Sequence, residues 1–323
     1  AVPNDIGIRV QHSETVISYN VISGNLRSGV IVYRGAGNQI TSNLIGVNIT
    51  GAALPNGGSG VRVGGGGSTV ESIYIGSHQE APEGNLIAGN AGPGIHVMGD
   101  VESAYIHGNR IGGIASGVGN AGAGLLIEGH EAELDLEISV PSGLDIRGNE
   151  IVFNEGGGVR IDGASGVGFF GNRIGVADDS NPDAVVKGFN GEEPAFLLIG
   201  NAKGDTEGVL IGDDTVESYN IIATDGVPAV VIVTGDYDDS GGWDGDSAIN
   251  NQVYLNRYRV AGSDRIIDHV GWNSTQLAGE GDSEAEYRGG TGPCSDEWEG
   301  VDDSYGNRRT LSPILNPIAI GDS

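Results

Sequence analysis

The sequence predicts an all-β parallel β-helix, a solenoid of about seven or more coils with long loops and an irregular C-terminal cap. Two phased repeats and an aliphatic-only core composition predict it. The first repeat pairs an Asn-bounded turn and strand with a glycine-led apolar triplet nine residues on. It reads Asn20-Val-Ile-Ser-Gly-Asn25 then Gly29-Val-Ile-Val32, and Asn85-Leu-Ile-Ala-Gly-Asn90 then Gly94-Ile-His-Val97. A third copy is Asn149-Glu-Ile-Val-Phe-Asn154 then Gly158-Val-Arg-Ile161, and a worn fourth is Asn220-Ile-Ile-Ala then Val230-Val-Ile232. The leading Asn positions lie 65, 64 and 71 residues apart. The second repeat, Asn43-Leu-Ile-Gly46, Asn109-Arg-Ile-Gly112 and Asn172-Arg-Ile-Gly175, falls between these copies and opens long polar loops.

Each element of a coil follows from this phasing. The glycines at 29, 60, 94, 124 and 158 are 31, 34, 30 and 34 residues apart, so one coil has about that length and two make the longer period. Val30–Val32, Gln39–Ile40 and Leu44–Ile45 read as the three short strands of one coil. Alternation of inward apolar and outward residues is the period of a half-buried strand. Glycine at the corners permits positive φ, and Asn is the next residue to tolerate it. Asn side chains at equivalent corners can hydrogen-bond along the stack. The register places Val30, Val32, Val61, Val63, Ile95, Val97, Val159 and Ile161 inside, and Ile31, Arg62, His96, Leu126 and Arg160 outside as one column.

The run Asn43-Leu-Ile-Gly-Val-Asn-Ile-Thr-Gly-Ala-Ala-Leu-Pro-Asn-Gly-Gly-Ser-Gly-Val61 resembles the N-x-I-G-T-D-x-T-G-T-A-A-L-G-N-G-x-x-G-V signature of right-handed parallel β-helix repeats. These belong to the pectate-lyase-like superfamily, in the form found in large bacterial and archaeal surface proteins. Asp302-Asp-Ser-Tyr-Gly-Asn-Arg-Arg-Thr-Leu-Ser-Pro-Ile-Leu315 resembles the motif that follows the last coil in such proteins. The resemblance covers 20–235 well and 236–323 loosely. It implies a right-handed helix but not an activity, because this architecture hosts lyases, hydrolases, epimerases, adhesins and inert stalks.

Composition narrows the class. Aromatic residues are 6% and Met occurs once, so the core is built from Ile, Val, Leu and Ala. A net charge of −28 argues against nucleic acid and anionic membranes as partners. No apolar run reaches the length of a membrane span. Lysine occurs only at Lys187 and Lys203, the other fourteen of sixteen cations being arginine. Dense carboxylate with scarce lysine suits a halophilic or marine source, since salt screens the self-repulsion. A single cysteine, Cys294, excludes an intrachain disulfide. Sequons at Asn48 and Asn273 offer glycosylation sites. The opening Ala-Val-Pro-Asn, directly before repeat-like sequence, suits a processed or trimmed secreted protein.

The chain divides near residue 235 into regular coils (1–235) and a terminal coil with acidic loops and cap (236–323), where Trp243, Trp272 and Trp298 all occur. Trp243 and Trp272 are candidate sugar platforms, with packing under loops as the alternative. The run Asp236-Tyr-Asp238-Asp-Ser240-Gly-Gly-Trp-Asp244 resembles the start of a calcium loop, with Asp236, Asp238, Ser240 and Asp244 as the candidate ligands. Ser247 stands where the closing acidic ligand is expected, and an acidic hairpin is the simpler account. Apart from possible Ca2+, no cofactor is implied. Ile6-Gly-Ile-Arg-Val10 and Thr15-Val-Ile-Ser18 already read as strands, so a neighbouring domain or self-association is expected to cover the N-terminal coil.

Two functional readings follow. The first is a secreted or cell-surface structural or adhesive β-helix without enzymatic activity: a rigid spacer, a filament subunit or a glycan-binding surface. The alternative is a polysaccharide-acting enzyme: a lyase, a hydrolase or a phage-type depolymerase. For the alternative, Arg62, His96 and Arg160 would form a cationic groove for an acidic polysaccharide. Tyr105 or His107, flanking inward Ile106, would supply acid–base chemistry. No row of aspartates is expected beside them, and Asp178-Asp179 reads as a solvated loop pair. A cluster of Arg, His, Tyr and carboxylates in one groove would favour the enzyme.

Overall fold

The computed structural model describes residues 3–65, 67–77, 84–113, 117–131, 138–176, 188–191, 193–200, 204–212, 219–234, 248–249, 251–253, 257–261, 267–271 and 285–286. These form a parallel β-helix of three sheets, with no helix among the described residues. The first sheet runs through Ile8–Val10, Val30–Val32, Val61–Gly64, Ile95–Met98, Leu125–Glu128, Val159–Asp162, Phe196–Gly200, Val230–Thr234 and Ile267–Gly271. All of these pair parallel, and Ala285–Glu286 joins the last of them antiparallel. The second sheet includes Val16–Ser18, Gln39–Thr41, Val70–Gly76, Val101–His107, Ser142–Arg147 and Ala164–Phe170. The third is made of shorter strands, among them Val21–Ile22, Leu44–Ile45, Leu86–Ile87, Arg110–Ile111, Glu150–Ile151 and Arg173–Ile174.

The predicted register holds. Val30, Val32, Val61, Val63, Ile95, Val97, Val159 and Ile161 are all buried in one continuous core. Ile31, Arg62, His96, Leu126 and Arg160 are successive partners one coil apart. Ile31 departs from expectation: it takes the outward register yet is only 1% exposed, and it lies outside the core cluster. An outward register position is therefore not always a wet one, since neighbouring outward side chains can cover a small aliphatic group. The core also departs from the expected Ile, Val, Leu and Ala: among the described residues Phe169 and Phe196 are fully buried in it and meet edge to face at 5.0 Å.

Two ladders of buried asparagine staple the corners. One runs Asn43, Asn85, Asn109, Asn149, Asn172 and Asn220, and the other Asn56, Asn90, Asn120, Asn154 and Asn190. In each step the Oδ1 of one Asn accepts the side-chain Nδ2–H of its counterpart in the preceding coil and, in every step but Asn56 to Asn90, its backbone N–H as well. The same Nδ2 donates to a carbonyl such as Ile40 O or Ile75 O. A buried polar side chain is tolerated only when satisfied in this way.

Ile8–Val10, Val16–Ser18 and Val21–Ile22 are outermost in their sheets, with Val16, Tyr19, Val21 and Leu26 exposed beside them. Downstream of 235, Ala248–Ile249, Gln252–Val253 and Arg257–Ala261 extend the second and third sheets by a further coil. Apart from Ala285–Glu286, the segment expected to form the cap lies outside the described residues.

Candidate functional site

The outer face of the first sheet is charge-compensated at two of its three expected cations. Glu128 and Asp162 lie two positions further along the strands that carry Leu126 and Arg160, and they are register partners of each other. His96 Nε2 lies 2.9 Å from Glu128 Oε1, both side chains being largely buried. Arg160 Nη2 lies 3.5 Å from Asp162 Oδ2. Two members of the expected groove of Arg62, His96 and Arg160 are thus paired with carboxylates that the spacing Leu126-x-Glu128 and Arg160-x-Asp162 already carried. Arg62 has no carboxylate within ion-pair distance among the described residues, and its Nε is buried without a hydrogen-bond partner there.

A tighter constellation occupies the outer face of the second sheet. Tyr105 and His107 flank the fully buried Ile106, as the alternation predicts. Tyr74, Tyr105 and Asp145 are consecutive partners in one outward column. His107, Arg147 and Phe170 form the next. The Tyr74 and Tyr105 rings stack at 4.8 Å with 11° between planes, so their faces are turned to each other along the helix axis. His107 sits edge-on to Tyr105 at 6.0 Å. Arg147 Nε donates to Asp145 Oδ1 at 2.5 Å, and the guanidinium lies 4.4 Å above the Phe170 ring. His107 Nε2 is 3.5 Å from Asp145 Oδ2, close enough for attraction and too far for a good hydrogen bond.

The corner asparagines set this geometry. Tyr105 and Asp145 each lie four residues before a ladder Asn, and His107 and Arg147 two before. Their side chains therefore leave the sheet at equal heights in adjacent coils. Sequence reading expected no row of aspartates beside the Tyr and His and did not single out the one that does align there, Asp145. Sequence reading also passed over Tyr74, Arg147 and Phe170. Counting back from Asn109, Asn149 and Asn172 would have found all but Tyr74.

Burial lowers the His107 pKa below its usual 6.5, with Arg147 acting in the same direction and Asp145 opposing both. The imidazole is therefore held neutral in a neutral solution. A His with a lowered folded-state pKa binds its proton less readily folded than unfolded. Its contribution to stability is whole above about pH 6.5 and is lost as pH falls through the folded value. His107→Gln should therefore lose less thermal stability than the wild type between pH 7 and pH 5. Parallel losses in the two proteins would show that His107 has no part in the acid response.

Among the other predicted sites, Asn48 closes a tight turn in which its Oδ1 accepts from Thr50 N, Thr50 Oγ1 and Ala52 N. Trp243, Trp272, Asp236, Asp238, Ser240, Asp244 and Asn273 lie outside the described residues, as does Asp178-Asp179. Among the described residues no group of three or more His, Cys, Asp or Glu is placed to hold a metal ion. No helix there is long and apolar enough to cross a membrane.

No family model matches the chain, and no curated protein matches it. Among solved structures it is similar to the A-module of the mannuronan C-5 epimerase AlgE4 of Azotobacter vinelandii. That similarity has 13% identity and a TM-score of 0.28, covering 80% of this chain and 76% of that one. A likeness so distant leaves the function to be argued from the residues themselves.

Proposed function

We propose that this chain is an extracellular, rigid β-helix that binds polysaccharide along the outer face of its second sheet. One observation carries the reading: Tyr74, Tyr105, His107, Asp145, Arg147 and Phe170 converge on that face across adjacent coils. A polymer lying along the axis meets a new coil about every 4.8 Å, and hydroxyls, an imidazole, a carboxylate and a guanidinium are offered in turn. The asparagine ladders support the structural half of the reading, because among the described residues they tie successive coils together from Asn20 to Asn220. The exposed Val16, Tyr19, Val21 and Leu26 support contact of the N-terminal coil with a neighbouring domain or subunit. Calcium at 236–246, glycosylation and a saline habitat rest on the sequence alone.

A second reading, catalysis on the same face, is favoured by the neutral His107 beside Tyr105 and Asp145. A base must be unprotonated to act, and a tyrosine hydroxyl nearby can return a proton. Arg147 would then meet the carboxylate of a uronic acid unit. The test is a panel of uronate-containing and neutral polysaccharides scored for both binding and product formation. Arg147→Ala is expected to weaken binding of the preferred polymer by about tenfold, the loss of one charge-assisted contact. Product formation abolished by Tyr105→Phe with binding retained would establish the enzyme. A wild-type chain that binds nothing in the panel, or an Arg147→Ala variant that binds equally well, would defeat the glycan reading.

A further inference from the structure

The corner between the third and first sheets carries a conformational requirement that one coil breaks. In the first two copies of the repeat the residue before the second Asn is Gly24 and Gly89, with φ of 71° and 68°. In the third copy it is Phe153, at φ 59°. The left-handed region penalises any residue with a Cβ, and a bulky aromatic more than most. Glycine was available at this position and serves it twice. A phenylalanine held there against the backbone preference is a residue whose ring has a use.

The ring lines a depression open to solvent. At the first two corners, loop residues cover the glycine: a Cβ on Gly24 would touch Leu54, and one on Gly89 would touch Ala53. At the third corner there is instead a depression of about 530 Å³ lined by Gly117, Phe153, Asn154, Glu155, Phe189, Gly191 and Glu193. That volume is within the range of small-ligand sites. Phe153 and Phe189 are half-buried, whereas Glu155 and Glu193 are exposed and have no ion-pair partner among the described residues. Among the described residues no cationic side chain lines the site. It thus pairs two apolar rings with two uncompensated carboxylates.

We propose that this corner binds a cationic amino sugar, a hexosamine unit with a free, protonated amine. The apolar face of the pyranose packs on the phenylalanine rings. The ammonium meets Glu155 and Glu193 and gains cation–π attraction from the same rings. A uronate would be repelled here, so the site differs in ligand class from the second-sheet face. It lies at another corner of the coil and stands or falls independently of that face.

The test measures binding of a short glucosamine oligomer, with its N-acetylated counterpart as the uncharged probe. Phe153→Gly leaves the net charge unchanged and restores the residue of the other two copies. It should raise the Tm by about 2–4 °C as the backbone relaxes, yet weaken binding of the amine form at least tenfold. The double variant Glu155→Gln, Glu193→Gln should bring the amine form down to the affinity of the acetylated one. Because the chain is strongly acidic, an oligocation will also adhere to it at large. Such adhesion would survive Phe153→Gly undiminished, and that outcome overturns the proposal. Equal binding of the two oligomers by the wild type, or no binding of either, overturns it as well. A lower Tm for Phe153→Gly would show the ring to be a packing element and would refute the claim that it is held against strain.

Discussion

Asn109→Ala is expected to remove about 3–5 kcal/mol of stability, several times the cost of an ordinary surface substitution. The side chain is 2% exposed. Its Nδ2 donates to Ile75 O at 2.8 Å and Asn149 Oδ1 at 3.0 Å. Its Oδ1 accepts Asn85 N at 3.1 Å and Asn85 Nδ2 at 2.9 Å. Alanine leaves donors and acceptors of three coils without partners, in a place water does not reach. Each orphaned buried group costs about 1–3 kcal/mol, with some relief from relaxation. The Tm should fall by roughly 10 °C for a chain of this size. The matching control is Asn20→Ala, since Asn20 is exposed and lies where the same ladder ends. Its backbone N–H still reaches Asn43 Oδ1, and water serves the rest, so a loss of under about 1 kcal/mol is expected. Equal losses at the two positions in a thermal or denaturant melt would mean that the ladder does not act through burial.

The fold was legible because its signals are local and repeated. A triplet such as Val61-Arg-Val63 shows in three residues which side chains face inward, and the glycine before it sets the phase. The asparagines were legible as stacked corners for the same reason. Ile31 was not, because alternation assigns a side chain to a face and says nothing of what covers it there. The antiparallel pair His130–Glu131 with Ile138–Ser139, which branches off between the first and second sheets, also left no periodic trace.

The candidate site was half legible. Tyr105 and His107 could be placed outward from Ile106 alone. Asp145 and Arg147 could not be placed by counting forward, because the branch between Leu125–Glu128 and Ser142–Arg147 changes the coil length. Spatial neighbours in a solenoid share a height above the sheet, not a fixed separation in sequence, and only the ladder asparagines keep that height. The opposite error occurred on the first sheet. There the cations were read as a column without the carboxylates two residues away, and the pairs His96–Glu128 and Arg160–Asp162 cancel much of the expected field.

Gly112→Ala is expected to have a larger effect still, more than 4 kcal/mol, the range reserved for backbone conflicts that cannot relax. Gly112 has φ 112°, and a Cβ built there would lie 1.6 Å from the carbonyl oxygen of Val152 in the next coil. Neither atom can retreat, because Gly112 N is bonded to Ile87 O at 2.8 Å and Val152 N to Ile111 O at 2.9 Å. Gly46 and Gly175 repeat the arrangement, with a Cβ at 2.2 Å from Ala88 O and 2.0 Å from Ala223 O. The same corner is therefore occupied in turn by Gly46, Ala88, Gly112, Val152, Gly175 and Ala223. Each glycine of this series takes a positive φ and has the carbonyl oxygen of the next coil where a Cβ would sit, so every second coil needs glycine for backbone reasons, which gives a physical reason for a sequence period of two coils instead of one. Gly148→Ala separates strain from collision, since Gly148 has φ 61° and nothing within 4 Å of a new Cβ. It should cost only about 1–2 kcal/mol, the left-handed penalty by itself. A Gly112→Ala protein that folds and melts like Gly148→Ala would show that the coils can slide apart at this corner. The alternation of glycine and side-chain coils would then need another cause.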